Sequence, residues 1–147
     1  MGVFVLCFGT LIYLSDRSPD STYFVKEFLS FLSFHGKHPD MFGFADRSLA
    51  SFLHVFSFSM ITAGIIAQSR KGYLVVTLGW AAVNFVCELG QYFDTFAVRS
   101  VPAWFERYPL LETVDDYFVA GCFDCFDVAA IFAGGLAGYL VLLKTKA

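Results

Sequence analysis

The residues able to do chemistry in this chain are few, and most stand among apolar neighbours. Glu88 has Asn84 four positions before it and Gln91 three after. At 3.6 residues per turn these side chains share one helix face. Asp124 and Asp127, three positions apart, head another apolar stretch, and His54 sits in a third. Arg99 is a candidate counter-charge between Gln91 and Asp124. Gathered together, carboxylates can handle protons or hold a cationic group, and an imidazole or guanidinium can neutralise them. Cys122-Phe-Asp-Cys125 adds a C-x-x-C spacing, the pattern of a redox pair or of half a zinc site.

Each feature also has a plainer reading. Asn84, Glu88 and Gln91 can serve as interhelical hydrogen-bonding glue. Asp124 can be an acid favoured by a helix dipole at its N-terminus. His54 can be an interfacial residue, and Cys122 and Cys125 small apolar residues at a helix start. A zinc site would need further ligands, from His35, His38 or His54, and the residue after Cys125 is Phe126, so no haem-attachment motif follows. Cys7 has no lipid-attachment pattern around it, and Cys87 reads as a packing residue. No nucleophile with its base, phosphate loop or complete metal set accompanies the acids, so no catalytic residue, metal or cofactor is assigned.

Composition defines the setting. Of 147 residues, 57% are hydrophobic and only 16% charged, with 19 Phe; the mean hydropathy is +0.63. An ordinary soluble domain is about 25% charged. A soluble enzyme and a disordered chain are both poor fits. The net charge of -3 provides no basic patch for nucleic acid. The length suits a single integral membrane domain.

The elements that must position the polar residues are therefore membrane spans. A span needs about 20 apolar residues. Four stretches are expected to form spans, at residues 2–18, 49–67, 73–93 and 123–143, in an all-α membrane protein. The first is short and reads as a retained helix, because it has neither a basic leader nor a small-residue cleavage site. The tight loop Gln68-Ser-Arg-Lys-Gly72 makes spans two and three an antiparallel hairpin. Arg70, Lys71, Lys144 and Lys146 then share a side with the N-terminus, assigned to the cytoplasm by the positive-inside rule. In the first outer loop, Ser21 to His35 has the pattern of an amphipathic interfacial helix. The second outer loop carries Trp104, Phe105 and Tyr108, which suit the headgroup layer.

Depth connects the polar residues. Glu88 lies roughly 22 Å from the cytoplasmic end of its span at 1.5 Å per residue. His54 enters its span from the outer side, and Asp127 opens the fourth span on that side. One outer layer is expected to hold His54, Asn84, Glu88, Gln91, Asp124 and Asp127, with Arg99 adjoining, as a polar pocket open outward. On the fourth span Asp127, Ile131, Gly134 and Gly138 share a face, and Gly134-Gly-Leu-Ala-Gly138 is a G-x-x-x-G packing stretch.

These residues resemble the VanZ-like membrane proteins, a family associated with teicoplanin resistance, over most of the chain. Leu14-Ser-Asp-Arg-Ser-Pro19 is similar to the exit of the family's first span, and His54 in Phe52-Leu-His-Val-Phe-Ser-Phe58 to the histidine opening its second. Glu88-Leu-Gly-Gln91 matches its Glu-x-x-Gln, and Asp127 with Gly134 and Gly138 its Asp-Gly-Gly spacing. Ala50-Ser51 and Ile131 depart from its Asp-Lys and Asn, and a longer segment separates Arg99 from Asp127. The resemblance implies a multi-pass protein of the bacterial cytoplasmic (inner) membrane, working in the cell envelope. It does not supply a mechanism.

Two functions fit these readings. One is an outward polar pocket that binds a lipid or a cell-envelope component. The other is a structural accessory subunit of a larger membrane complex, with the Phe residues and the aromatic loop as docking surface. An enzyme or ion path fits less well, because the inner half of the fourth span, residues 134–143, has no Asp, Glu, His, Lys or Arg.

Overall fold

The computed structural model describes residues 1–16, 46–67, 69–108, 111–112 and 114–145. Among these residues there are helices and no strand. The expected interfacial helix at Ser21 to His35 lies outside them.

Helix α1 runs Gly2–Asp16, α2 Asp46–Ile66, and α3 Arg70–Tyr92. Two short helices follow, α4 Asp94–Ser100 and α5 Val114–Ala120, with a 3-10 turn Ala103–Arg107 between them. Helix α6, Cys125–Thr145, closes the order.

Three helices, α2, α3 and α6, are long and apolar enough to cross a membrane. Their bounds fall within a few residues of the spans expected from the sequence. The first expected span is different. Helix α1 has 15 residues, about 22 Å of rise against a hydrocarbon core of about 30 Å. Its apolar run gives way to Ser15-Asp16 before span length is reached.

Local chemistry sets the boundaries. Ser69 caps α3, its hydroxyl accepting from the Gly72 N–H at 3.1 Å. Asp124 does the same for α6, its carboxylate accepting from the Phe126 N–H at 2.8 Å. Lys144 sits in the last turn of α6, where a cation complements the helix dipole. Two threonine hydroxyls within the apolar helices return to their own backbone. Thr10 donates to the Leu6 carbonyl at 3.1 Å and Thr77 to that of Tyr73 at 3.0 Å, which satisfies a hydroxyl within an apolar helix.

Helix α2 is central and touches α1, α3 and α6, while α3 also packs on α6. Small residues set the spacing. Phe52 faces Gly134, and Phe56 and Ser59 face Gly138, so α2 and α6 run parallel. Ala81 and Thr77 face Gly135, and Tyr73 shares a buried cluster with Leu142, so α3 is antiparallel to both. A Cβ at Gly134 would stand 2.5 Å from the Phe52 carbonyl oxygen, whereas one at Gly138 would meet Ser59 at 3.4 Å. The first glycine of the G-x-x-x-G stretch therefore fixes the approach, and the second has ordinary room.

Candidate functional site: buried carboxylates where α3 meets α6

The buried face of α3 is Tyr73, Thr77, Ala81 and Glu88, and that of α6 begins with Asp127 and continues through Ile131 and Gly134. Because the two helices are antiparallel, the last turns of α3 meet the first turn of α6. Two acids from separate helices are brought together there, each only 8% exposed. The acids nearest Glu88 are Asp127 and Asp124. The Oε2 of Glu88 is buried with no hydrogen-bond partner among the described residues.

The segment between α3 and α6 forms the roof. Gly90 faces the Phe118 ring, where an added Cβ would stand 2.4 Å from a ring carbon, and Gly121 faces the Gln91 side chain. Tyr92 meets Phe123 edge to face, with centroids 5.4 Å apart. Helices α4 and α5 contact each other and the end of α3. Asp124 lies beside Glu88, and its side chain caps α6.

Several expectations are corrected by this geometry. Glu88 and Asp127 of the expected pocket are each only 8% exposed, and the residue 114–124 segment packs on the end of α3 beside them. Small residues at Gly90 and Gly121 let that segment fold closely onto α3. His54 does not join the cluster. Phe52 is level with Gly134, seven positions below Asp127, so His54, two positions further on, lies roughly 13 Å deeper than the acids. It also lies on another side of α2. It borders a cavity of about 30 Å³ with Leu6, Gly9, Thr10, Ala50 and Leu53, facing α1. Its ring stacks on Phe58 at 5.4 Å, and Phe58 stacks on Trp80 at 4.7 Å. Asn84 donates to the Trp80 carbonyl of its own helix at 2.9 Å, so this bond is not interhelical glue. Arg99 is exposed in the last turn of α4.

Cys122 and Cys125 are free and exposed. Cys122 lies in the non-helical stretch 121–124 and Cys125 is the first residue of α6, so the C-x-x-C spans a helix boundary. Cys7 is exposed on α1 and Cys87 is half-buried beside Glu88 on α3. Among the described residues no three of His, Cys, Asp and Glu come together to hold a metal ion.

Against this geometry the comparisons are silent. No protein-family model, curated protein or solved structure matches the chain.

Sequence reasoning missed the polar contact that joins α2 to α3. The Trp80 indole donates to Thr62 Oγ1 at 3.0 Å. The signal was present in a Trp facing a Thr across a hairpin, but the hairpin's rotational setting had to be known first. It also missed Ser57 and Ser59, whose buried hydroxyls have no hydrogen-bond partner among the described residues.

Proposed function

We propose that this chain is a VanZ-like integral membrane protein of the bacterial cytoplasmic membrane, whose Glu88–Asp127 cluster engages a lipid headgroup or another cell-envelope component. The observation that carries the reading is the burial of two acids from separate apolar helices at one point. Ionisable groups in spans are costly and mark functional sites. Glu88 Oε2 retains an unused acceptor there, suited to a donor brought by a ligand. Entry requires the residue 114–124 segment to lift.

In this reading four spans cross the membrane, with α1 as the first, and both termini are cytoplasmic. Support for the orientation comes from charge. Arg70 and Lys71 open α3, and Lys144 closes α6. The antiparallel pairing puts these cations at one end, and cytoplasmic flanks are rich in Lys and Arg.

The test compares parent, Glu88→Gln, Asp127→Asn and His54→Ala after purification in mild detergent. Lipids retained by each protein are measured by native mass spectrometry, and teicoplanin susceptibility is measured in the expressing host. The two acid variants are expected to lose a lipid adduct or a phenotype that His54→Ala keeps. Acid variants indistinguishable from the parent in both measurements would refute the site.

The second reading, a structural accessory subunit, is favoured by α1. This helix rests on α2 and leaves Val3, Phe4, Phe8 and Leu11 exposed. Stoichiometric co-purification of another membrane protein is its expected signature, and a lone monomer contradicts it.

A further inference from the structure

The segment joining α3 to α6 carries large apolar side chains that its own folding does not cover. Phe96 is 74% exposed, and Phe93, Trp104, Tyr108, Tyr117 and Val119 are also exposed. Trp104 gathers Phe105 at 4.4 Å and Tyr108 at 5.9 Å between ring centroids, both edge to face. Leaving such a group in water forgoes the stabilisation that its burial would bring. Asp94, Arg99, Glu106, Arg107, Asp115 and Asp116 are exposed on the same segment. Apolar and charged groups interspersed at this density suit a boundary between oil and water.

What covers the apolar groups follows from continuity with α3. The exposed apolar stripe of α3 runs through Val75, Leu78, Val83 and Val86. Phe93 lies 18 positions after Val75, five full turns at 3.6 residues per turn, and so continues that stripe. Phe96 lies one turn further, on α4. The chain breaks from helix at Phe93 (φ -109°, ψ 45°) and starts α4 at Asp94, so the exposed rings of Phe93 and Phe96 follow directly on the apolar stripe of α3 in sequence. Trp and Tyr are the residues that favour the headgroup level.

We infer that α4, the 3-10 turn Ala103–Arg107 and α5 form an interfacial platform. Phe93, Phe96, Trp104 and Tyr108 are immersed in the headgroup layer, and the acids and arginines reach toward water. The partner is the lipid surface itself. The inference rests on the reading that α2, α3 and α6 cross the membrane. It adds a role for the platform, because the layer that holds it also borders the lid over Glu88 and Asp127.

The chain has two tryptophans, and they report on the two claims separately. Trp80 lies mid-helix on α3, bordering a lipid-facing groove with Thr62, Val76, Gly79 and Val83. Trp104 lies on the platform. The full chain is reconstituted in phosphatidylcholine vesicles with nitroxide labels placed shallow or deep on the acyl chains, and iodide is the aqueous quencher. Trp104→Phe isolates Trp80. Subtracting its signal from that of the parent isolates Trp104 without a variant that disturbs Trp80, and Trp80→Phe supplies a direct check.

The expected result is that the shallow label quenches Trp104 more than the deep one, that iodide quenches it little, and that the deep label quenches Trp80. If Trp80 responds to the deep label while iodide quenches Trp104 and neither lipid label does, the platform stands in water and the inference fails alone. If Trp104 is shielded from iodide and from both lipid labels, protein covers it and the inference again fails. If neither tryptophan responds to a lipid label, the membrane reading fails with it.

Discussion

Two glycine contacts, one deep in the helix cluster and one at its roof, set different limits on the molecule. Gly134 of α6 stands against the backbone carbonyl of Phe52, while Gly90 of α3 stands against the ring of Phe118. Both sites would place an added Cβ within 2.5 Å of a neighbour. A carbonyl oxygen within α2 cannot move without moving the helix. A phenyl ring on a seven-residue surface helix can rotate or leave with its helix. The deep seam is therefore rigid, and the roof over Glu88 and Asp127 is adjustable. A site covered by an adjustable roof can admit a ligand without disturbing the seam that holds its floor.

Substitutions can break or sharpen that contrast. The largest effect is expected for Gly134→Ala, which forces α2 and α6 apart and costs about 1–3 kcal/mol, the usual range for overpacking. Thermal or denaturant unfolding in detergent checks it, and an unchanged midpoint would show that the seam is not rigid. Gly90→Ala is expected to act mainly on the roof. Hydrogen exchange over residues 114–124 should speed up while α2 and α6 keep their protection, because local opening lowers protection only where it occurs. Trp80→Phe removes the interhelical bond to Thr62 and should cost about 0.6 kcal/mol, the average for such bonds in a membrane protein. Gly138→Ala is expected to change stability least, within about 0.5 kcal/mol, because its Cβ finds ordinary contact at Ser59.

How much was legible in the sequence depends on whether a feature is local. The helix period places Asn84, Glu88 and Gln91 on one face, and Asp127, Ile131, Gly134 and Gly138 on another. The observed burial of Glu88, Asp127, Ile131, Gly134 and Gly138 agrees. Span bounds follow from apolar runs and so were readable for α2, α3 and α6. The depth of His54 was not readable. It depends on where α2 starts and on its register against α6, and the register is set by the contact of Gly134 with a backbone carbonyl. No side-chain pattern in α2 announces that contact. The direction of His54 around α2 was hidden for the same reason.

The segment after α3 was equally opaque. Its aromatic content pointed to an interface, but its fold into α4, a 3-10 turn and α5 depends on Gly90 and Gly121 meeting Phe118 and Gln91 across the chain. That fold leaves Arg99 exposed in the last turn of α4.

The central claim is that Glu88 and Asp127 form one polar unit from which His54 stands apart. Two double-mutant cycles test it most directly, measured by unfolding in the same detergent. One combines Glu88→Gln with Asp127→Asn, and the other combines Glu88→Gln with His54→Ala. Groups in contact couple by about 0.5–3 kcal/mol, whereas separated groups add within about 0.3–0.5 kcal/mol. The account predicts coupling in the first cycle and additivity in the second. Additivity between Glu88 and Asp127, or coupling of Glu88 to His54, would contradict it.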